Sequence, residues 1–268
     1  MNIANNQITK GMDRFNLKML ALALMTMDHI HQFFSSNGIP IWFTWLGRLS
    51  APLFFFTMAE GFFYTRNRFT YVKRLYFFSV IMSLGKFLAW KISMNNSSYP
   101  TVTNNIFETF FLIGFNILIF EYLNREESGV SKKIIILSLV IMLEIVLPMS
   151  VVLLPNRSIS RIILSFLPCP LLCEGGLPFV FLGMAFFYLR NERKKMMVIY
   201  SIFSLSFFPL YYFSLENAFY HNYQWMMIFA MPLMMIYNGK RGHGLKYFFY
   251  LYYPAHIFLF FYISGIIN

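Results

Sequence analysis

Charge is scarce in this chain. Of its 268 residues only 12% are Asp, Glu, Lys or Arg, about half the share of a soluble globular domain. Cysteine is nearly absent. Cys169 and Cys173 are too few for a disulfide framework, and they lack the second pair that a zinc site would need. No glycine-rich phosphate loop, heptad array or internal repeat is present. A surface this poor in charge excludes a disordered chain, a secreted disulfide scaffold and a soluble nucleic-acid-binding domain.

What fills the space is apolar. Hydrophobic residues make up 58% of the chain and aromatic residues 21%, with 34 Phe and 17 Tyr. No soluble fold of this length has an interior large enough to bury them, so the surrounding solvent is lipid. The sequence reads as a single integral-membrane domain over residues 1–268, an all-α polytopic helical bundle. Residues 1–16 are polar and lack a hydrophobic stretch ending in a cleavage site, so the run from Leu17 is expected as a retained span.

A bilayer core needs roughly 20 apolar residues per helix. Candidate spans are residues 17–34, 41–64, 71–92, 102–123, 133–154, 176–189, 196–215, 223–237 and 247–267. Residues 157–173 form a shorter apolar piece broken by Pro168 and Pro170, expected to be re-entrant or interfacial.

Basic residues mark the loops. Lys10, Arg14 and Lys18 precede the first span, and Arg66, Arg68, Lys73 and Arg74 separate the second from the third. Arg125, Lys132 and Lys133 follow the fourth, Arg190, Arg193, Lys194 and Lys195 the sixth, and Lys240, Arg241 and Lys246 the eighth. These loops alternate with nearly neutral ones, apart from a mildly basic stretch at residues 157–161. About nine spans follow, with the N-terminus cytoplasmic and the C-terminus outside.

Ionisable residues inside spans cost at least a few kcal/mol each, so they direct attention to function. Those read as buried within spans are Asp28, His29, His31, Arg48, Glu60, Lys86, Glu108, Glu144 and His256. On the helical rise of about 1.5 Å per residue, His29 lies roughly 18 Å and His256 roughly 15 Å from the cytoplasmic side. Arg48, counted from the outer side, is about 10 Å deep and near the level of Asp28. An Asp28–Arg48 ion pair would keep both charges in lipid, as a structural link or as part of a site. Glu60 falls within reach of Arg66 or Arg68. Glu108, Lys86 and Glu144 read either as snorkelling groups or as the lining of a water-filled cavity. A neutral imidazole is tolerated in the membrane where a carboxylate is not, which favours His29 as a working group. Asp28 shares its helical face with His31 and Gln32, so His29 must find its partner elsewhere.

Two stretches resemble the TraX family of membrane proteins. One is LKMLALALMTMDHIHQFF followed by WLGRLSAPLFFFTMAEGFFYTRNRFTYVKRL; the other is QWMMIFAMPLMMIYNGKRG followed by KYFFYLYYPAHIFLFFY. The matching positions are Asp28, His29, Arg48, Glu60, Gly61, Arg66, Asn67, Arg68, Asn238, Gly239, Arg241, Tyr253, Pro254 and His256, with His31 a departure from the family pattern. The resemblance implies membrane-bound acetyl transfer in the bacterial cytoplasmic (inner) membrane; the family's founding member is associated with N-terminal acetylation of pilin subunits, a substrate that does not carry over from the resemblance. It also implies kinship with multi-span acyltransferases that use cytoplasmic acetyl-CoA and an intramembrane histidine. The acceptor would be a peptide, a pilin-like protein or a glycan, on an amine or a hydroxyl. Membrane lipid is the further expected partner; nucleic acid and metal are not expected.

Acetyl-CoA carries phosphates that need cations on the cytoplasmic side. Arg66, Arg68, Lys73 and Arg74 form one such cluster, and Asn238, Lys240 and Arg241, in a glycine-flanked turn, form a second. The pantetheine arm, roughly 15–20 Å long when extended, would carry the thioester to His29 and His256. His29 is expected as general base, Asp28 and Arg48 as the brace of the first two helices, and His256 as a group orienting His29 or stabilising the thioester oxygen. An acyl-enzyme on Cys169 or Cys173 has no adjacent base to support it. A transporter or flippase also places ionisable residues at mid-membrane, but lacks here the paired halves common in that class. A structural role in an assembly apparatus is a third reading.

Overall fold

Asparagine and aspartate side chains set where four of the helices begin. Asp13 accepts a hydrogen bond from the backbone N–H of Asn16 at 2.8 Å and starts α1, Arg14–Phe34. Asn67 does the same through Thr70 for α4, Arg68–Asn95, and Asn105 through Glu108 for α5, Ile106–Leu123. Asn156 caps α8, Arg157–Leu164, through Ser158 and Ile159. Each cap satisfies backbone donors that would otherwise lack a partner.

The computed structural model describes residues 11–125, 129–211 and 213–267. Lys10, counted above among the basic signals, lies outside the described residues, as does the side chain of Lys246. The remaining elements are α2 (Trp42–Gly47), α3 (Ser50–Phe63), α6 (Val130–Ile141), α7 (Leu147–Val152), α9 (Gly176–Tyr188), α10 (Arg193–Leu205), α11 (Met231–Met235) and α12 (Lys246–Ile267). A π-helical segment, Met142–Val146, joins α6 to α7, another covers Asn217–His221, and a 3-10 stretch, Tyr223–Ala230, precedes α11. Among the described residues the backbone forms no strand, only an isolated parallel bridge between Met12 and Tyr237. Helices satisfy their own backbone groups, which is what a lipid environment demands.

Among the described residues four helices are long and apolar enough to cross a membrane: Arg68–Asn95, Ile106–Leu123, Val130–Val152 and Tyr247–Ile267. They match the expected third, fourth, fifth and last spans. The others differ. Helix α1 has the length, but Arg14, Lys18 and Asp28 dilute its apolar character. The apolar helix α9, with 13 residues, is roughly 20 Å long against a hydrocarbon core of about 30 Å. Helix α10 ends at Leu205 rather than running to 215, and residues 223–237 are mostly 3-10 helix.

The expected span 41–64 is broken at Arg48 and Leu49. Pro52 supplies the reason, since it has no N–H for the Arg48 carbonyl and its ring crowds that oxygen. The residues 157–173 open with the eight-residue α8 and then turn irregularly into α9.

The chain packs as two units. The first joins Met1–Thr57 to Arg193–Phe248; the second joins Met58–Glu192 to Phe249–Asn268. In the first, α1 lies against α2, and α10 against the 3-10 stretch, where the Tyr200 hydroxyl donates to the Met227 carbonyl. Gly47 permits the first of these approaches, because a Cβ there would collide with the Asp28 side chain. In the second, α5 packs between α4 and α9, and α8 rests on α4. Helix α6 buries none of its side chains and exposes Ile134, Ile135, Leu137 and Leu139, as a lipid-facing helix does.

Candidate active site

The first unit holds a polar cluster built across the break between α2 and α3. Arg48 sits at that break and its Nη2 donates to Oδ2 of Asp28, the ion pair expected from their depths. Its Nη1 donates to the Gln224 carboxamide oxygen at 3.2 Å, and the guanidinium lies 5.6 Å from the Tyr223 ring centre. The pair is largely enclosed, with 25% of the Arg48 side chain and 16% of the Asp28 side chain exposed. One turn further on, His31 Nδ1 and the buried Thr44 hydroxyl are hydrogen-bonded at 2.8 Å. Trp45 donates from its indole to the Phe219 carbonyl at 2.7 Å. Asp28 and His31 therefore work on one face of α1, as their three-residue spacing requires. His29, 3% exposed, is buried on another face.

At the other end of α1 the chain is stitched to the turn after α11. The Met12 N–H donates to the Ile236 carbonyl and the Asn238 N–H to the Met12 carbonyl, both at 3.0 Å, and the Arg14 N–H to the Lys240 carbonyl at 2.9 Å. Asn238 holds the turn together: its Nδ2 donates to the Gly11 carbonyl at 3.1 Å and its Oδ1 accepts from the Lys240 N–H at 2.9 Å. Gly242, at φ 67°, lies against the Asp13 carboxylate where a side chain would clash. Arg193 donates to the Tyr237 carbonyl at 3.0 Å. Lys18 lies in the fields of both Arg14 and Arg241, so three cations share this end of α1. Sequence reasoning assigned Arg14 and Lys18 to topology alone; the fold brings them to Arg241.

In the second unit, Arg68 is held in place. Its Nη1 donates to both Glu121 oxygens at 2.7 and 2.8 Å, and its Nη2 to the Phe63 carbonyl at 3.3 Å. The guanidinium also lies among the Phe62, Phe63 and Phe187 rings. Glu121, absent from the sequence expectations for Arg68, is its carboxylate partner. Of its neighbours, Arg66 and Lys73 are exposed, with Lys73 over the Phe69 ring, and Arg74 donates to the Thr70 carbonyl at 3.2 Å.

His256, buried on α12, donates from Nδ1 to the Tyr252 carbonyl at 2.8 Å. His29 belongs to the first unit and His256 to the second. Tyr253, next to the helix-internal Pro254, donates to Glu174 and accepts from the Ile106 N–H, both at 3.1 Å. Glu108 accepts from the Cys169 N–H at 3.1 Å. Glu144 lies in the π-helical segment, where both its oxygens accept from Asn116 on α5. Glu174 lies outside the expected spans and Asn105 carries no charge, so intramembrane charge gave no signal for either. Cys169 and Cys173 are both buried, and the Cys173 thiol donates to the Pro170 carbonyl.

Buried ionisable side chains tied between helices, in a helical chain with four membrane-length apolar segments, define an integral membrane protein with polar clusters set in an apolar interior. The chain belongs to the TraX family, whose model, described as TraX protein, matches residues 13–264. It is also similar to a probable fimbrial assembly protein, FimC of serogroup H1, from Dichelobacter nodosus. The two are 30% identical over 262 residues, which cover 91% of this chain and 93% of that protein. No solved structure matches it.

Proposed function

We propose that this protein transfers an acetyl group from cytoplasmic acetyl-CoA to an amine or hydroxyl of a peptide or glycan acceptor. One observation within the first unit carries the reading. Helix α1 bears cations at its start and a buried imidazole further along. From Lys18 to His29 is roughly 16 Å and from Arg14 roughly 22 Å along the helix. An extended pantetheine arm of roughly 15–20 Å spans such a distance. Arg14, Lys18 and Arg241 would hold the CoA phosphates.

In the transfer, His29 accepts the proton of the acceptor amine or hydroxyl as its nitrogen or oxygen attacks the thioester carbon. The tetrahedral intermediate collapses, the C–S bond breaks, and the CoA thiolate takes the proton back from the imidazolium. General-base assistance of this kind is worth about 10²–10⁴-fold. The Asp28–Arg48 pair braces α1 against α2 so that the imidazole keeps its position.

The topology belongs to the same proposal: nine crossings of a bacterial inner membrane, with the N-terminus cytoplasmic and the C-terminus outside. The alternation of basic and neutral loops supports it.

The fimbrial assembly name of the Dichelobacter relative favours a second reading, a non-enzymatic role in assembling surface fibres. The two separate on His29→Ala. Under the first reading the variant binds acetyl-CoA and transfers acetyl groups at least about 100-fold more slowly; under the second it supports assembly as well as the wild type.

A further inference from the structure

Within the second unit a cavity of about 200 Å³ opens between α4, α5 and α8. That is several times the roughly 30 Å³ share of one water molecule. Its polar lining is Ser83, Lys86, Glu108, Arg161 and Ser165.

The hydrogen-bond accounting of this lining is one-sided. Glu108 Oε1 accepts from the Cys169 N–H at 3.1 Å, and Oε2 lies 3.5 Å from the Asn105 carboxamide nitrogen. Glu174, whose field reaches Lys86, accepts from the Asn105 N–H at 2.9 Å and from the Tyr253 hydroxyl at 3.1 Å. Both carboxylates thus have protein donors. Among the described residues neither cation hydrogen-bonds to an acceptor. Among the described residues Lys86 makes no hydrogen bond or close ion pair. Arg161 lies over the Trp90 ring at 4.5 Å, and its guanidinium makes no hydrogen bond among the described residues. Ser83 accepts from Asn105 at 2.8 Å, which turns its own hydroxyl proton elsewhere. What the cavity wants is acceptor oxygens.

We propose that this cavity binds a phosphate oxyanion, gripped by Lys86 and Arg161 and closed by the Ser83 hydroxyl. A guanidinium and an ammonium are the side chains that recognise phosphate, the first by paired donors and the second as a point charge. Lys86 stands in the fields of the Glu108 and Glu174 carboxylates as well as in that of Arg161, and an anion between the two cations offsets the positive charge that Arg161 adds. The phosphate arrives either in an anionic lipid headgroup or in a soluble phosphate ester. Exposed Ile159, Ile162, Ile163 and Phe166 on and just after α8 offer acyl chains an apolar surface next to the cavity. Arg161 on Trp90 is the pairing expected at headgroup level. The competing account is a lysine that only snorkels toward the membrane surface, which needs no ligand.

The test uses the full-length protein purified in a neutral detergent and stripped of lipid. Thermal stability is read against phosphatidylglycerol, phosphatidylcholine, glycerol 3-phosphate and inorganic phosphate, in the wild type, Lys86→Gln and Arg161→Gln. Arg161 lies on an exposed helix, so that variant keeps the fold even if Lys86→Gln does not. The expected result is saturable stabilisation of the wild type by phosphatidylglycerol but not phosphatidylcholine, with the half-effect concentration raised about tenfold or more in Arg161→Gln. Stabilisation by glycerol 3-phosphate or inorganic phosphate that is lost in the same variant supports the site and assigns a soluble source. No discrimination between the two lipids together with no response to either phosphate overturns the proposal. So does an Arg161→Gln variant that responds as the wild type does.

Discussion

Arg48 and Asp28 stand 20 residues apart in the chain and form one ion pair at the point where an apolar segment breaks into two helices. Pro52 breaks the helix, and Gly47, one residue before Arg48, lets α2 approach the Asp28 side chain. The charge pair, the missing N–H and the missing side chain cooperate at a single crossing of α1 and α2.

Removing one member of this pair strands the other. Asp28→Ala or Arg48→Ala should lose about 3 kcal/mol of stability. The double replacement Asp28→Leu with Arg48→Met should recover most of that loss, because it leaves no unpaired charge. Unfolding of the detergent-purified variants, followed by tryptophan fluorescence, measures both. A double variant as unstable as the worse single one would mean that the pair does more than brace two helices.

His29→Ala should fold, insert and bind acetyl-CoA like the wild type, yet transfer acetyl groups at least about 100-fold more slowly. The measurement is release of free CoA thiol, with the acceptor fraction from the native membrane present. Normal turnover would remove His29 as the base.

Arg241 and Arg68, both expected from sequence to meet CoA phosphates, should now behave differently. Arg241 shares the start of α1 with Lys18, and Arg241→Ala should weaken acetyl-CoA binding about tenfold. Arg68 spends its donors on Glu121, so Arg68→Ala should cost about 1 kcal/mol of stability, discounted for the partly exposed pair. Its acetyl-CoA affinity should stay within about twofold. Calorimetric titration of both variants checks this, and equal weakening in the two would contradict it.

Glu144 sits in the π-helical segment and ties the span of α6 and α7 to Asn116 on α5. Glu144→Gln retains an acceptor for Asn116 and should leave the thermal midpoint nearly unchanged. Glu144→Ala should cost about 1 kcal/mol, the scale of an interhelical hydrogen bond in a membrane. A Glu144→Gln loss as large as that of Glu144→Ala would mean that the charge, rather than the hydrogen bond, is required.

The class of fold was legible because composition alone forces it: so little charge and so much Phe and Tyr leave only lipid as solvent. The four long spans were legible because each stays predominantly apolar over about 20 residues despite its few ionisable side chains. Local backbone departures were not. The break at Arg48 needed Pro52 to be weighed inside an otherwise convincing run, and the 3-10 stretch at Tyr223–Ala230 is as apolar as a helix. At the site, the Asp28–Arg48 pair followed from depth along two helices. The Glu121 partner of Arg68 did not, because Glu121 lies 53 residues away at a helix end, where charge attracts no notice. The same holds for Arg14, Lys18 and Arg241. Positive-inside bias explains each one singly, and only the fold brings them to one place.

The most direct test of the acetyl-transfer account is titration of acetyl-CoA into the folded, detergent-purified protein, with 3′-dephospho-acetyl-CoA and Arg241→Ala as controls. The account predicts saturable binding that weakens when the 3′-phosphate is removed and again in Arg241→Ala. Absence of binding, in a sample whose cooperative thermal unfolding shows that it is folded, would contradict it.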